Sequence, residues 1–165
     1  MTAGKTYVPL ATQTLGSATA SVTFSSISGA YTDLVLVVNG TLSSGGYIDS
    51  YVRFNSDSGT NYSRTYLFGD GGSTVSGRNS AATGLGFVYM NSTDRAAIVI
   101  NIMNYANATT YKTATTRTTA PGSGGVTAAY VGLWRNTAAI TTIEIVTGNT
   151  FAIGSTFTLY GIAAA

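Results

Sequence analysis

Hydrophobic and polar positions alternate with a period of two along most of the chain. In 18–27, Val22 and Phe24 alternate with hydroxyl residues, and in 96–103, Ile98, Ile100 and Ile102 share one face. Ile143 and Ile145 alternate with Thr142 and Glu144, as Phe157 and Leu159 do with Thr158 and Tyr160. Such alternation puts one set of side chains in a core and the other on the opposite face of a strand. Further extended segments are expected at 7–14, 33–39, 51–54, 62–68, 85–90 and 111–119. Segment 33–39 (DLVLVVN) is apolar at successive positions, which predicts a central strand covered on both faces. Pro9 lacks an N–H, so 7–14 belongs at a sheet edge. Segment 111–119 is rich in threonine and poor in apolar residues, which predicts an edge strand or one facing another subunit. No window combines helical periodicity with caps and strong helix formers.

Polar turns separate these segments at 55–61 and 91–94, at Asn136–Thr137 and at Gly148–Asn149. The longest stretch without a pattern, 69–84, is rich in Gly, Ser and Thr and contains Asp70 and Arg78; it reads as a contact loop. The last strand ends almost at the last residue, so it is expected to be tied into a sheet. The expected architecture is all-β: an antiparallel, jelly-roll-like β-sandwich of about ten strands. Residues 1–14 are read as an extended N-terminal arm or first strand, and 15–165 as a single sandwich domain.

Composition narrows the chemistry. Among 165 residues there is no cysteine and no histidine, which removes disulfides, the commonest general base and most zinc sites. Charged residues are 8% of the chain, against about 25% in an ordinary soluble domain. A surface so poor in charge suits a chain packed against copies or partners. The formal charge of +2 is too small and scattered for nucleic-acid binding. No run approaches the ~20 apolar residues of a membrane span. The N-terminus has no apolar signal core, so assembly in a cytoplasm is expected.

Three segments resemble a module found at the ends of tailed-phage structural proteins: 31–39 (YTDLVLVVN), 52–62 (VRFNSDSGTNY) and 132–162, with GLWR followed by NTFAIGSTFTLYGI. The resemblance implies a virion β-sandwich, often trimeric, of the tail-fibre, tail-tip or head-decoration kind, without catalytic residues. This chain has no coiled-coil heptads and no shaft-like repeat. That favours a capsid decoration (cement) protein contacting the major capsid protein or other virion proteins. A tail-fibre or tail-tip module recognising a host surface glycan is the alternative. No cofactor is expected.

Candidate sites follow from residue type. Asn55, Asp57 and Asn61 around Gly59 place oxygen atoms at alternate positions, as a Ca²⁺ loop does, but the closing bidentate glutamate is missing; a hairpin turn is favoured and no metal is expected. Asp49, Asp57, Asp70, Asp94 and Glu144 could supply a hydrolytic carboxylate pair, yet nothing brings two together, so no enzyme is expected. Eleven tyrosines is a high number. Tyr7, Tyr47, Tyr51, Tyr62, Tyr66, Tyr105 and Tyr111 are candidates for stacking on sugar or for a protein interface, unless they are half-buried at the rims of the sandwich. Trp134 is read as a core or interface anchor. Arg64, Arg78, Arg95, Arg117 and Arg135 suit fixed contacts across subunits, with partner carboxylates expected on a neighbouring chain.

Overall fold

The alternating segments form twelve strands in two antiparallel sheets. The structure is a computed structural model and describes residues 6–46, 48–120 and 125–163, all but the side chains of 48 and 87–89. In chain order the strands are β1 (Tyr7–Thr14), β2 (Thr19–Phe24), β3 (Asp33–Gly40), β4 (Ile48–Phe54), β5 (Tyr62–Gly69), β6 (Thr74–Ala82), β7 (Leu85–Met90), β8 (Ala96–Met103), β9 (Lys112–Ala120), β10 (Val126–Trp134), β11 (Ile143–Phe151) and β12 (Thr156–Ile162). One sheet has the order β1-β12-β3-β8-β9-β10-β5-β6 and the other β2-β11-β4-β7.

The order explains the architecture. The chain switches sheets at β1, β2, β3, β4 and again at β7, β8, β11, β12, so β1-β12-β3-β8 opposes β2-β11-β4-β7. That is the eight-stranded jelly roll. The β5–β6 and β9–β10 hairpins are insertions. They pair with each other through β10 and β5 and extend the first sheet beyond β8.

The core lies between the sheets, where the alternating residues converge. Leu34, Leu36 and Val38 of β3, Ile98, Ile100 and Ile102 of β8, Phe157 and Leu159 of β12, and Ile143 and Ile145 of β11 are all buried. Phe151 meets Phe157 edge to face at 5.0 Å. Gly161 lies beneath the Tyr31 ring, where a Cβ would collide with it.

Three sequence expectations are corrected. Residues 69–84 are not a loop: after the Asp70–Ser73 turn they form β6, whose residues are exposed on both faces apart from Gly77 and Ala82. Without a buried face a strand shows no alternation. Segment 111–119 is not an edge. It is β9, between β8 and β10, and buries Ala114, Thr116, Thr118 and Ala120. Small residues fit there because β7 packs across β9 and β10. β11 runs on through Gly148–Asn149 with an irregular register, and the turn comes later, at Gly154 with φ 78°. Segment 7–14 is the sheet-edge strand that Pro9 predicts, paired with β12 and bulged beside that proline.

Phe157→Ala should lower the unfolding free energy by about 3–5 kcal/mol, because it empties a fully enclosed aromatic site. Urea unfolding followed by tyrosine and tryptophan fluorescence measures this.

Candidate interaction surface

Several residues singled out by type turn out to build the fold. Phe54, Tyr62 and Trp134 are fully buried and in mutual contact, with Tyr62 stacked on Trp134 at 6.3 Å and Phe54 edge-on to it at 5.5 Å. Trp134 Nε1 donates to Asp57 Oδ2 at 2.8 Å. Asp57 also accepts from Gly59 N at 2.9 Å and from Asn61 Nδ2 at 3.0 Å. The Tyr62 hydroxyl donates to Asp57 O and accepts from Phe54 N, both at 3.0 Å. Asn55 and Ser56 have φ of 50° and 59°, and Asp57 N closes the turn on Phe54 O at 2.9 Å. This is the conformation that Asn tolerates best among residues with a side chain. Asn55 Oδ1 accepts from Thr141 N and Thr142 N, and its Nδ2 donates to Ala139 O. The Asn55 and Asp57 oxygens of the Ca²⁺-like pattern are therefore engaged by protein donors. Tyr105 is buried too, its hydroxyl donating to Ser28 O. Tyr62, Tyr105 and Trp134 are thus core residues, not surface contacts.

The carboxylates are dispersed. Asp70 accepts from Gly72 N and Ser73 N within its own turn, and Asp94 from Asn91 and Thr93. Asp49 pairs with Arg64 at 3.3 Å and accepts from the Tyr51 hydroxyl at 3.1 Å. Burial, then the Asp49 charge, pushes the Tyr51 hydroxyl up. Among the described residues no three His, Cys, Asp or Glu side chains gather as a metal site would require.

The arginines divide into two kinds. Arg64 sits over the Tyr51 ring and against Gly86, and only 12% of its side chain is exposed. Arg95 donates to Asn39 Oδ1 at 3.0 Å and to Gly154 O at 3.2 Å, and Arg135 to Thr60 O at 2.6 Å. Arg95 and Arg135 are held by acceptors within the chain, whereas Arg64 reaches Asp49 through Nη2 alone and its buried Nε and Nη1 have no hydrogen-bond partner among the described residues. Arg78 and Arg117 are exposed and have no hydrogen-bond or ion-pair partner among the described residues. Lys112 is buried, donating to Thr110 O and Thr137 O, and burial lowers its ammonium pKa.

Both free guanidinium groups lie on the outer face of the eight-stranded sheet. Register places Val99, Arg117, Ala129, Leu67 and Ser76 in one row across β8-β9-β10-β5-β6, and Asn101, Thr115, Val131, Thr65 and Arg78 in the next. Two adjoining depressions of ≈ 570 Å³ and ≈ 670 Å³ run over these rows, sharing Leu67, Arg117 and Ala129. Leu67 is 52% exposed and Val131 50%. The opposite face of β10 is already buried through Val126, Ala128, Tyr130 and Trp134. Tyr66, on the inner face of β5, packs with Tyr130 and Phe68.

The exposed tyrosines are elsewhere. Tyr7 faces Tyr160 at the end of the sheet where β1 begins, and Tyr111 precedes β9 at that same end. The Asp70 turn is at the other end, about 20 Å away along the strands. The register therefore does not bring Tyr7 and Tyr111 together with the Asp70 turn. Tyr47 lies outside the described residues. No family model, no curated protein and no solved structure matches the chain.

The Asp57 latch has a pH signature. Burial alone would raise its pKa, but the bonds from Trp134, Asn61 and Gly59 outweigh that and hold it below the usual carboxylate value. A folded-state pKa below the unfolded one contributes stability above about pH 4, lost as pH falls through the folded value. Asp57→Asn should therefore lower the urea midpoint at pH 7 and narrow the gap between the midpoints at pH 7 and pH 3. An unchanged gap would remove Asp57 from the acid response.

Proposed function

We propose that this chain is a non-enzymatic structural subunit of a tailed-phage virion, a capsid decoration (cement) protein that acts by burying surface against its neighbours. The observation that carries this reading is the outer face of β10. Ala129, Val131 and Leu133 give it an apolar character although the strand's inner face is already in contact with the interior. Strands apolar on both faces belong to sheets covered on both sides. Contiguous exposed apolar surface on a soluble domain marks a binding face. The residues that resemble the phage module support the same reading from another side. They fall in β3, the β4–β5 turn, β11 and β12, and reach the inserted hairpins only at their junctions, in Tyr62 of β5 and residues 132–134 of β10.

In this reading the chain assembles as a homotrimer on the head, its outer sheet face turned toward the major capsid protein or another virion protein. The tail-tip alternative has one observation in its favour, the exposure of Tyr7 and Tyr111 at a common end of the sheet. The two outer-face rows that hold Arg117 and Arg78 contain no aromatic residue, the flat ring that stacks on sugars.

Virions of the phage encoding the chain should contain on the order of hundreds of copies, as a decoration lattice requires. Quantitative mass spectrometry of purified particles measures this, and a few dozen copies or fewer would favour the tail. The double variant Ala129→Lys, Val131→Lys should keep the wild-type thermal unfolding midpoint but fail to cosediment with particles lacking the native protein. Cosedimentation at wild-type levels would exclude this face.

A further inference from the structure

The two edges of the eight-stranded sheet are treated differently. β1 carries Pro9 and a bulge beside it, both of which block strand addition. β6 has neither over Thr74–Asn79. Its register with β5 is regular there, and the one irregularity lies further on, where Asn79 Oδ1 accepts from Ala81 N. Every second residue of an edge strand turns its N–H and C=O outward. The segment is also bare on both faces, because β7 packs against β9, β10 and β5 and stops short of β6. Gly77 lies close under the Tyr66 side chain, where a Cβ would collide with the ring.

We propose that Thr74–Asn79 accepts an extended strand from a different protein, one that alternates an apolar face with a face bearing a carboxylate. The two faces of β6 define that pattern. On the inner face Val75 is 38% exposed beside Phe68, at the open margin of the cluster formed by Val126, Ala128 and Tyr130. An apolar residue of an added strand continues that cluster. On the outer face Arg78 stands in line with Thr65 and Val131, without a counter-ion. A carboxylate in the added strand supplies one.

A second copy of this chain does not fit the pattern. Its four sheet-edge strands are β1, β2, β6 and β7, and none contains Asp or Glu. Pairing β6 with any of them leaves Arg78 unmatched, and pairing it with another β6 adds a like charge. Strand addition obtains affinity from main-chain hydrogen bonds and specificity from alternate side chains. The inference holds whether or not the partner is a virion protein, so it stands or falls separately from the decoration role.

The test uses the full chain and synthetic nonapeptides alternating valine with threonine. One has a central aspartate on the threonine face, one a lysine there, and one a central proline. Amide hydrogen exchange and calorimetry are the readouts. The aspartate peptide should slow exchange in Thr74–Asn79, the lysine peptide should bind about tenfold more weakly, and the proline peptide should give no protection. Arg78→Glu should reverse the order of the first two. Equal binding of the proline peptide, protection elsewhere only, or an order indifferent to Arg78→Glu would overturn the proposal. So would protection of β6 that grows with protein concentration in the absence of peptide, which would mean self-pairing.

Discussion

The fold depends on how the chain crosses between sheets beside the inserted hairpins. It leaves the smaller sheet after Phe54 and enters the larger at Tyr62, then returns after Trp134 to start β11. Asn55 and Asp57 fasten these crossings together. The Asn55 amide binds the backbone of the return segment at Ala139, Thr141 and Thr142, and the Asp57 carboxylate binds the Trp134 indole. Arg135 N donates to Asn61 O at 2.8 Å, and Arg135 Nη2 binds Thr60 O. A buried polar group is costly unless it is paired, and here each one is paired across the junction. Removing either Asx side chain leaves several backbone donors or an indole N–H without an acceptor, so the latch acts as a unit.

A consequence of this junction is an imbalance of sheets. Four strands cover a sheet of eight. The jelly-roll half is buried on its inner side, β7 reaches over the first part of the insertion, and the outermost strand is left uncovered. The apolar outer residues of β5 and β10 and the bare edge of β6 adjoin one another through Leu67 and Ser76. Surface that a monomer would be expected to protect is therefore gathered in one region. Elsewhere the exposed large apolar side chains, Tyr7, Met103, Tyr111 and Ile153, are set among hydroxyl and amide side chains, and the β1 edge is blunted.

Alternation made most of the jelly-roll strands legible because they have one buried and one more open face, while β3, which buries Val35 beside Leu34, Leu36 and Val38, was legible from its unbroken apolar run. The same rule was silent for β6, which has no buried face, and misleading for β9, whose buried face is built of Ala and Thr because β7 lies against it. The tyrosines failed for a different reason. Tyr62 and Tyr105 sit next to turns, and proximity to a turn suggested exposure, whereas Trp134, read as a core or interface anchor, is in the core. The signal was in the turn itself: Asn55 and Asp57 are acceptors spaced to bind backbone and indole donors, so an aromatic with a polar tip nearby is drawn inward. The Ca²⁺-like spacing and the tryptophan anchor were two halves of one structural device.

Charge shows what the scarcity of ionic residues accomplishes. Asp49, Asp57, Asp70 and Asp94 are engaged by local donors, and Arg64 and Arg95 are held by acceptors within the chain. These residues serve the fold. With them committed, the formal charge of +2 understates how the free charge is distributed, because Arg78 and Arg117 stand unpaired on one face. An exposed guanidinium contributes little by itself in water. Enclosed between two sheets it needs a carboxylate, and its planar fork makes that need directional. On a surface otherwise made mostly of Thr, Ser, Ala, Val and Leu, which discriminate poorly among partners, these two positions would carry the selectivity of the proposed contact. Apolar contact along β5 and β10 would hold a partner in place, while the arginines would reject any partner that brings no acid to meet them.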